Sequence, residues 1–183
     1  MVDREHIEDQ ELLLRIQAGS HAAFAILVKR HADRFYKLAF RFVNSREVAE
    51  DLVQDAFLAL WERPARWSAD KSTKFTSWFY RIVINRCLNY RKQVEHFAAI
   101  DEEGLTDDRL SQDEVLMMSE KQQALEVSIA ALPDRQRTAL NLCFYEGVSN
   151  QMAAEIMGVK LKALQSLLMR AKNNLKERLT KYL

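Results

Sequence analysis

Residues 74–92 read KFTSWFYRIVINRCLNYRK. Phe75, Phe79, Ile82, Val83 and Tyr90 recur at helical spacing and predict one apolar face. Lys74, Arg81, Asn85 and Lys92 share another face, with Trp78 and Asn89 beside it, and the stretch holds no acidic residue. It is read as the last helix of a bundle, packing its apolar side inward and presenting cations outward. Upstream, helical spacing continues through Leu12 and Ile16, then Phe24, Leu27 and Val28, then Phe35, Leu38 and Phe42. Ser20 and Ser45 stand where N-caps are wanted, and a helix from Glu47 to about Trp61 stops near Pro64. With 4 Gly and 2 Pro in 183 residues, the expected fold class is all-α.

The formal net charge of +1 hides an uneven distribution. Residues 1–93 carry 16 basic and 12 acidic side chains, residues 94–120 carry 1 and 9, and residues 121–183 carry 10 and 5. Two basic blocks flank a strip of net charge −8. The stretch DEEGLTDDRLSQDE within that strip has too few apolar residues to pack, so residues 94–118 are read as an acidic flexible linker. A chain of that length spans about 25–30 Å as a random coil, and more when it repels itself. The expected organisation is two small helical domains, residues 1–93 and 119–183, on either side of it.

The second domain has the order of a helix-turn-helix. Pro133 suits the first turn of a helix carrying Leu140 and Phe144. Ser149 then caps a short helix, Ala154 marks a close crossing, Gly158 makes the turn, and Leu164 locks the following helix. Leu161, Leu164, Leu168, Ala171, Leu175 and Leu179 are expected on the core side of that last helix. Lys162, Gln165, Ser166, Met169, Arg170 and Asn173 fall opposite, flanked by Lys160 and Lys172. Two readings stand for this face, an ordinary solvated surface and a major-groove reader. Seven basic residues against the one acid Glu177 across residues 156–183 favour the second.

Two further groups invite a partner. Most aromatics of the opening stretch are core, but Trp78, together with Trp67, Lys71, Ser72 and Thr73 of the preceding loop, is left near the basic stripe. Aromatic faces beside cations suit unstacked bases, at about 1–3 kcal/mol per stacked base. On the helix before it, Glu47, Asp51, Gln54 and Asp55 surround Leu58, opposite Val53, Ala56 and Leu60. That face is either a protein docking patch or a solvated surface.

AEDLVQDAFLALW, FTSWFYRIVINRCLNYRK and, after the acidic strip, LPDRQRTALNLCFYEGVSNQMAAEIMGV stand in one order along the chain. In that order they resemble the extracytoplasmic-function sigma factors, the smallest members of the bacterial sigma-seventy family, over about residues 10–93 and 119–180. The resemblance implies a region-two domain and a region-four domain with no region three between them. It implies that Glu47, Asp51, Gln54, Asp55 and Leu58 hold the beta-prime clamp helices of core RNA polymerase. Trp67, Lys71, Ser72, Thr73, Lys74, Trp78, Arg81, Asn85, Asn89 and Lys92 would open the promoter's minus-ten element and keep a flipped base. Lys160, Lys162, Gln165, Ser166, Met169, Arg170, Lys172 and Asn173 would read the minus-thirty-five element. Contact with the polymerase beta flap, an anti-sigma partner and a linker path through the RNA exit channel follow from the same resemblance. Where family members commonly carry basic residues on the recognition helix, this chain has Gln165 and Leu167. Each lost phosphate contact makes the salt dependence shallower by roughly 0.9 in log-log slope, and Leu167, at the margin of the core face, is read as extra packing.

Other classes find less support. His6, His21, His31 and His96 are scattered, no His and carboxylate stand at ligand spacing, and no glycine loop cradles a phosphate. No catalytic residue, metal or cofactor is expected, and the chain is read as no enzyme. Cys87 and Cys143 show no CxxC spacing, the N-terminus is charged, and no apolar run approaches the ~20 residues of a bilayer span. A cytoplasmic protein without membrane insertion is expected. The alternatives are a ligand-sensing helix-turn-helix regulator and a sigma-like adaptor that starts no transcription.

Overall fold

A computed structural model describes residues 7–67, 74–100 and 120–180. The described residues form eight α-helices and no strand. Four make the N-terminal bundle: α1 (Asp9–Gln17), α2 (His21–Val43), α3 (Arg46–Glu62) and α4 (Phe75–Ile100). Four follow: α5 (Glu120–Ala130), α6 (Asp134–Leu140), α7 (Asn150–Met157) and α8 (Leu161–Leu179). Thus α4 runs past Gln93 to Ile100. The rest of the acidic strip, residues 101–118, lies outside the described residues.

The caps read from sequence form. Ser20 Oγ accepts from the Ala23 amide at 3.3 Å, Ser45 Oγ from Val48 at 3.5 Å, and Ser149 Oγ from Met152 at 3.2 Å. Each satisfies an amide that the first helical turn leaves without a partner, for about 1 kcal/mol. Asn44 closes α2 in the left-handed region, φ 52°, where asparagine is tolerated because its short polar side chain bonds locally.

The bundle core is aromatic and aliphatic. Phe35, Leu38, Leu60, Phe79, Val83 and Cys87 are fully buried. Phe79 lies 4.7 Å from the Phe35 ring and 4.6 Å from the Phe57 ring. Burying each such side chain contributes roughly 1.5–3 kcal/mol, and paired rings add about 0.5–1.5 more. Burial pushes the Cys87 thiol up to about 12, so it behaves as a small apolar group and not as a nucleophile.

The two halves share this core. Leu142, Ala153, Ala154, Ile156 and Leu164 belong to the same buried cluster as the bundle residues, whereas Ile129, Leu132, Leu140 and Ala171 form a satellite cluster under α8. α7 packs against α4, and the Arg137 guanidinium lies 5.4 Å over the Phe42 ring. Between α6 and α7 the chain makes one π-helical turn, Asn141–Tyr145. Among the described residues no helix is long and apolar enough to cross a membrane.

Candidate functional site

Lys74, at the N-terminal edge of α4, and Trp78, Arg81, Asn85, Asn89 and Lys92 within it are spaced to lie on one side of a 3.6-residue helix. Lys74, Arg81, Asn85, Asn89 and Lys92 are exposed, while Phe75, Phe79 and Val83 are buried and Ile82 and Tyr90 half-buried. Trp78 is half-buried, its ring 6.1 Å from those of Phe75 and Phe79. One side of it is core and the other is open to the stripe.

Trp67 departs from the surface position expected for it: it is 2% exposed and part of the core. After α3 the short 3-10 turn Pro64–Arg66 folds back beneath α1. Gln17 Nε2 then donates to the carbonyls of Pro64 at 3.3 Å and Trp67 at 3.1 Å. A large apolar ring brought against the bundle is more stable buried than exposed, so Trp67 belongs to the packing of α1 and α3. Lys71, Ser72 and Thr73 lie outside the described residues.

On α3, Glu47, Asp51, Gln54, Asp55 and Leu58 are all exposed, Leu58 at 45%. Ala49, Val53, Ala56, Phe57 and Leu60 occupy the opposite, buried side. Asp55 receives Arg86 Nη1 at 3.4 Å, an exposed pair that contributes little. The arrangement is a ledge with an apolar centre and a carboxylate rim.

The C-terminal pair forms a helix-turn-helix. Gly158 takes φ 63°, which lets the Val159 amide reach the Ala154 carbonyl at 2.9 Å. Ala154, 2% exposed, and Leu164, fully buried, lie where α7 and α8 cross. Lys160, Lys162, Gln165, Ser166, Met169, Arg170, Lys172 and Asn173 are exposed along the outer side. The core side is narrower than the spacing suggests: Leu164 and Ala171 are buried, Leu168, Leu175 and Leu179 are half-buried, and Leu161 is 38% exposed. Leu161 opens α8, where no described element covers it. Leu167 is half-buried against the core cluster, in keeping with a packing role.

A constellation not foreseen in the sequence joins the halves. Glu146 has a side chain only 5% exposed. Its carboxylate accepts from Tyr80 Oη at 2.6 Å, from Arg41 Nη1 at 2.8 Å and from Arg34 Nε at 3.2 Å. Burial, and then the adjacent Glu146 carboxylate, push the Tyr80 phenol far above its ordinary range, which keeps it a proton donor. Nearby, Arg81 donates to the carbonyls of Ile156 at 3.2 Å and Glu155 at 2.5 Å, at the C-terminal end of α7. Arg91 Nη1 meets Asp134 at 2.5 Å. These pairs are 43 to 112 residues apart in the chain, so no local pattern announces them.

Comparison with known proteins shows the family. Residues 27–96 match the family model of Sigma-70 region 2, and residues 122–175 that of Sigma-70 region 4. The chain is 31% identical over 179 residues to the ECF RNA polymerase sigma-E factor of Escherichia coli, covering 92% of each chain. It is 29% identical over 176 residues to the RNA polymerase sigma-H factor of Pseudomonas aeruginosa, covering 90% of each. CnrH, solved in complex with the cytosolic domain of CnrY, superposes with TM-score 0.72 at 24% identity, over 94% of this chain and 97% of that one. The sigma factor RpoE of Bartonella quintana, solved with the anti-sigma factor NepR, gives TM-score 0.68 at 21% identity, over 86% and 96%. The acidic ledge, the basic stripe and the helix-turn-helix therefore stand on a chain that belongs to the extracytoplasmic-function sigma factors of the sigma-70 family, which direct transcription initiation by RNA polymerase.

Proposed function

We propose that the three exposed faces divide the work of initiation. The α3 ledge of Glu47, Asp51, Gln54, Asp55 and Leu58 docks on the clamp helices of core polymerase. The α4 stripe of Lys74, Trp78, Arg81, Asn85, Asn89 and Lys92, continued by Lys71, Ser72 and Thr73, holds the opened minus-ten strand. The outer side of α8 reads the minus-thirty-five element in duplex DNA. The observation that carries this reading is the separation of one acidic and two basic exposed surfaces onto three helices, each backed by its own buried face. An acidic ledge repels DNA and attracts a basic protein surface; the two cationic faces do the reverse.

The chemistry of RNA synthesis belongs to the polymerase, and this chain contributes recognition and strand separation. Extruding a base costs a few kcal/mol, which one stacking site and a few phosphate contacts offset only with the polymerase's help. The free protein is accordingly a weak DNA binder. It works where chromosome and polymerase meet, in the cytoplasm. The sigma factor RpoE of Bartonella quintana was solved bound to an anti-sigma factor, and a regulatory protein of that kind covers these faces here and holds the chain inactive.

Two variants test the assignment. Asp51→Arg abolishes retention of core polymerase while helix content stays at the wild-type level. Lys162→Ala combined with Gln165→Ala keeps polymerase binding and weakens promoter selection in run-off transcription. Wild-type behaviour in both sinks the assignment of faces to roles. A polymerase-binding chain that yields no transcript from any promoter is instead an adaptor.

A further inference from the structure

We infer that Gln165 and Met169 set the base sequence that the C-terminal half selects, an inference that rests on reading the outer side of α8 as a duplex-DNA face. Gln165 reads the edge of an adenine, and Met169 covers the methyl group of a thymine one or two base pairs away.

The structure first removes other side chains of that face from base reading. Ser166 Oγ donates to the Lys162 carbonyl at 3.0 Å, one turn back on its own helix, so its proton is spent on the backbone. Lys172 Nζ lies 5.3 Å over the Phe144 ring, a contact that holds it to the protein's own surface. Lys160, Lys162 and Arg170 are satisfied by phosphate oxygens, whose contacts position a protein without conveying sequence. Asn173 stands in the second half of α8, which runs from Leu161 to Leu179, whereas a recognition helix meets base edges with its N-terminal residues.

What remains is chemically specific. Gln165 is exposed and makes no hydrogen bond among the described residues, so no internal contact has to break. Its amide offers a donor, Nε2, beside an acceptor, Oε1. In the major groove adenine presents the complement, the acceptor N7 beside the N6 amino donor, whereas guanine presents two acceptors. A phosphate, which only accepts, leaves Oε1 idle. Met169 is 59% exposed and is the one apolar side chain among those assigned to this face. The thymine methyl is the apolar group that a base pair presents in the major groove, and an unbranched thioether moulds to it. Residues four apart on a helix have Cβ atoms about 5–6 Å apart, and stacked bases are about 3.4 Å apart. Gln165 and Met169 therefore reach pairs one or two steps from each other.

The experiment uses the full chain with core polymerase and run-off transcription from templates randomised across the minus-thirty-five segment, each identified by a tag in its transcript. Wild type enriches adenine at one position about tenfold over each other base. Gln165→Arg moves that preference to guanine, because a guanidinium donates to both O6 and N7. The preference is a ratio within one pool, so any general gain from the added charge cancels. In a promoter chosen from the pool, uracil then replaces thymine, which removes the methyl and keeps the pairing. Initiation falls about fourfold for wild type and is unchanged for Met169→Ala. Both substitutions are at exposed positions, and circular dichroism checks that helix content is kept. An adenine preference that survives Gln165→Arg, or none in wild type, overturns the role of Gln165. Uracil that is harmless to wild type, or as harmful to Met169→Ala, overturns that of Met169. Lys162→Ala separates this pair from the reading beneath it. If all three variants initiate like wild type from every template, α8 is not the DNA face. If Lys162→Ala lowers initiation across the whole pool while the base preferences ignore the other two, only the assignment of Gln165 and Met169 falls.

Discussion

Asp9 joins α1 to α2 through two side chains of the second helix: Arg30 Nη1 lies 2.7 Å from one carboxylate oxygen and His31 Nε2 lies 2.8 Å from the other. Burial by itself raises the carboxyl pKa, but the hydrogen bonds from His31 and Arg30 outweigh it and hold the group below the usual aspartate value of 3.8. A depressed folded-state pKa stabilises the protein above the unfolded value, and the contribution is lost as pH falls through the folded one. Stability curves of wild type and Asp9→Asn, measured by denaturant titration, are therefore separated at neutral pH and converge below pH 3.8. Gly158 offers a second test at this scale. A Cβ there meets no atom within 4 Å, yet φ is +63°, so Gly158→Ala suffers backbone strain alone. The expected loss is about 1 kcal/mol, with Gly158→Asn costing less because asparagine tolerates the left-handed region. Both features had legible residues. The glycine's place as the turn is plain from the spacing, whereas Asp9's partners are 21 and 22 residues away and no helical period connects them.

At the scale of elements, apolar period decided what forms and tertiary cover decided what is buried. The repeats through Phe35, Leu38 and Phe42 and through Phe75, Phe79 and Val83 yield α2 and α4 with those faces inside. The same arithmetic placed Leu161 inside α8's core side, and it is exposed because burial needs a neighbour as well as a phase. Trp67 errs in the other direction. Between a proline and a polar loop it reads as a surface ring, but the turn after α3 sets it under α1, where Gln17 fastens its carbonyl. Leu164 is the element-scale test: fully buried between α7 and α8, its replacement by alanine costs about 2–5 kcal/mol. In native-state hydrogen exchange the loss is confined to the C-terminal helices, and amides of α2 and α3 keep their protection.

For the whole molecule, the governing fact is that two halves, each with more basic than acidic side chains, meet through complementary groups at their junction. The bundle contributes arginines and the C-terminal half contributes the oxygens they meet. Because those contacts are charged, raising ionic strength from about 0.1 M to about 1 M, which shortens the screening length from about 10 Å to about 3 Å, enlarges the radius of gyration of the free protein. A closed form held by apolar packing alone would tighten or stay unchanged.

By itself the amino-acid sequence determined the helices, their caps, the helix-turn-helix and the faces left polar, because each depends on neighbours within a turn or two and on a period of 3.6 residues. The tertiary structure alone decided that Trp67 is core, that Glu146 is gripped by three bundle side chains, and that Arg81 is engaged by α7. Those outcomes depend on where distant helices meet. Meeting is governed by the summed packing and charge of both surfaces, a quantity that no single stretch of chain contains.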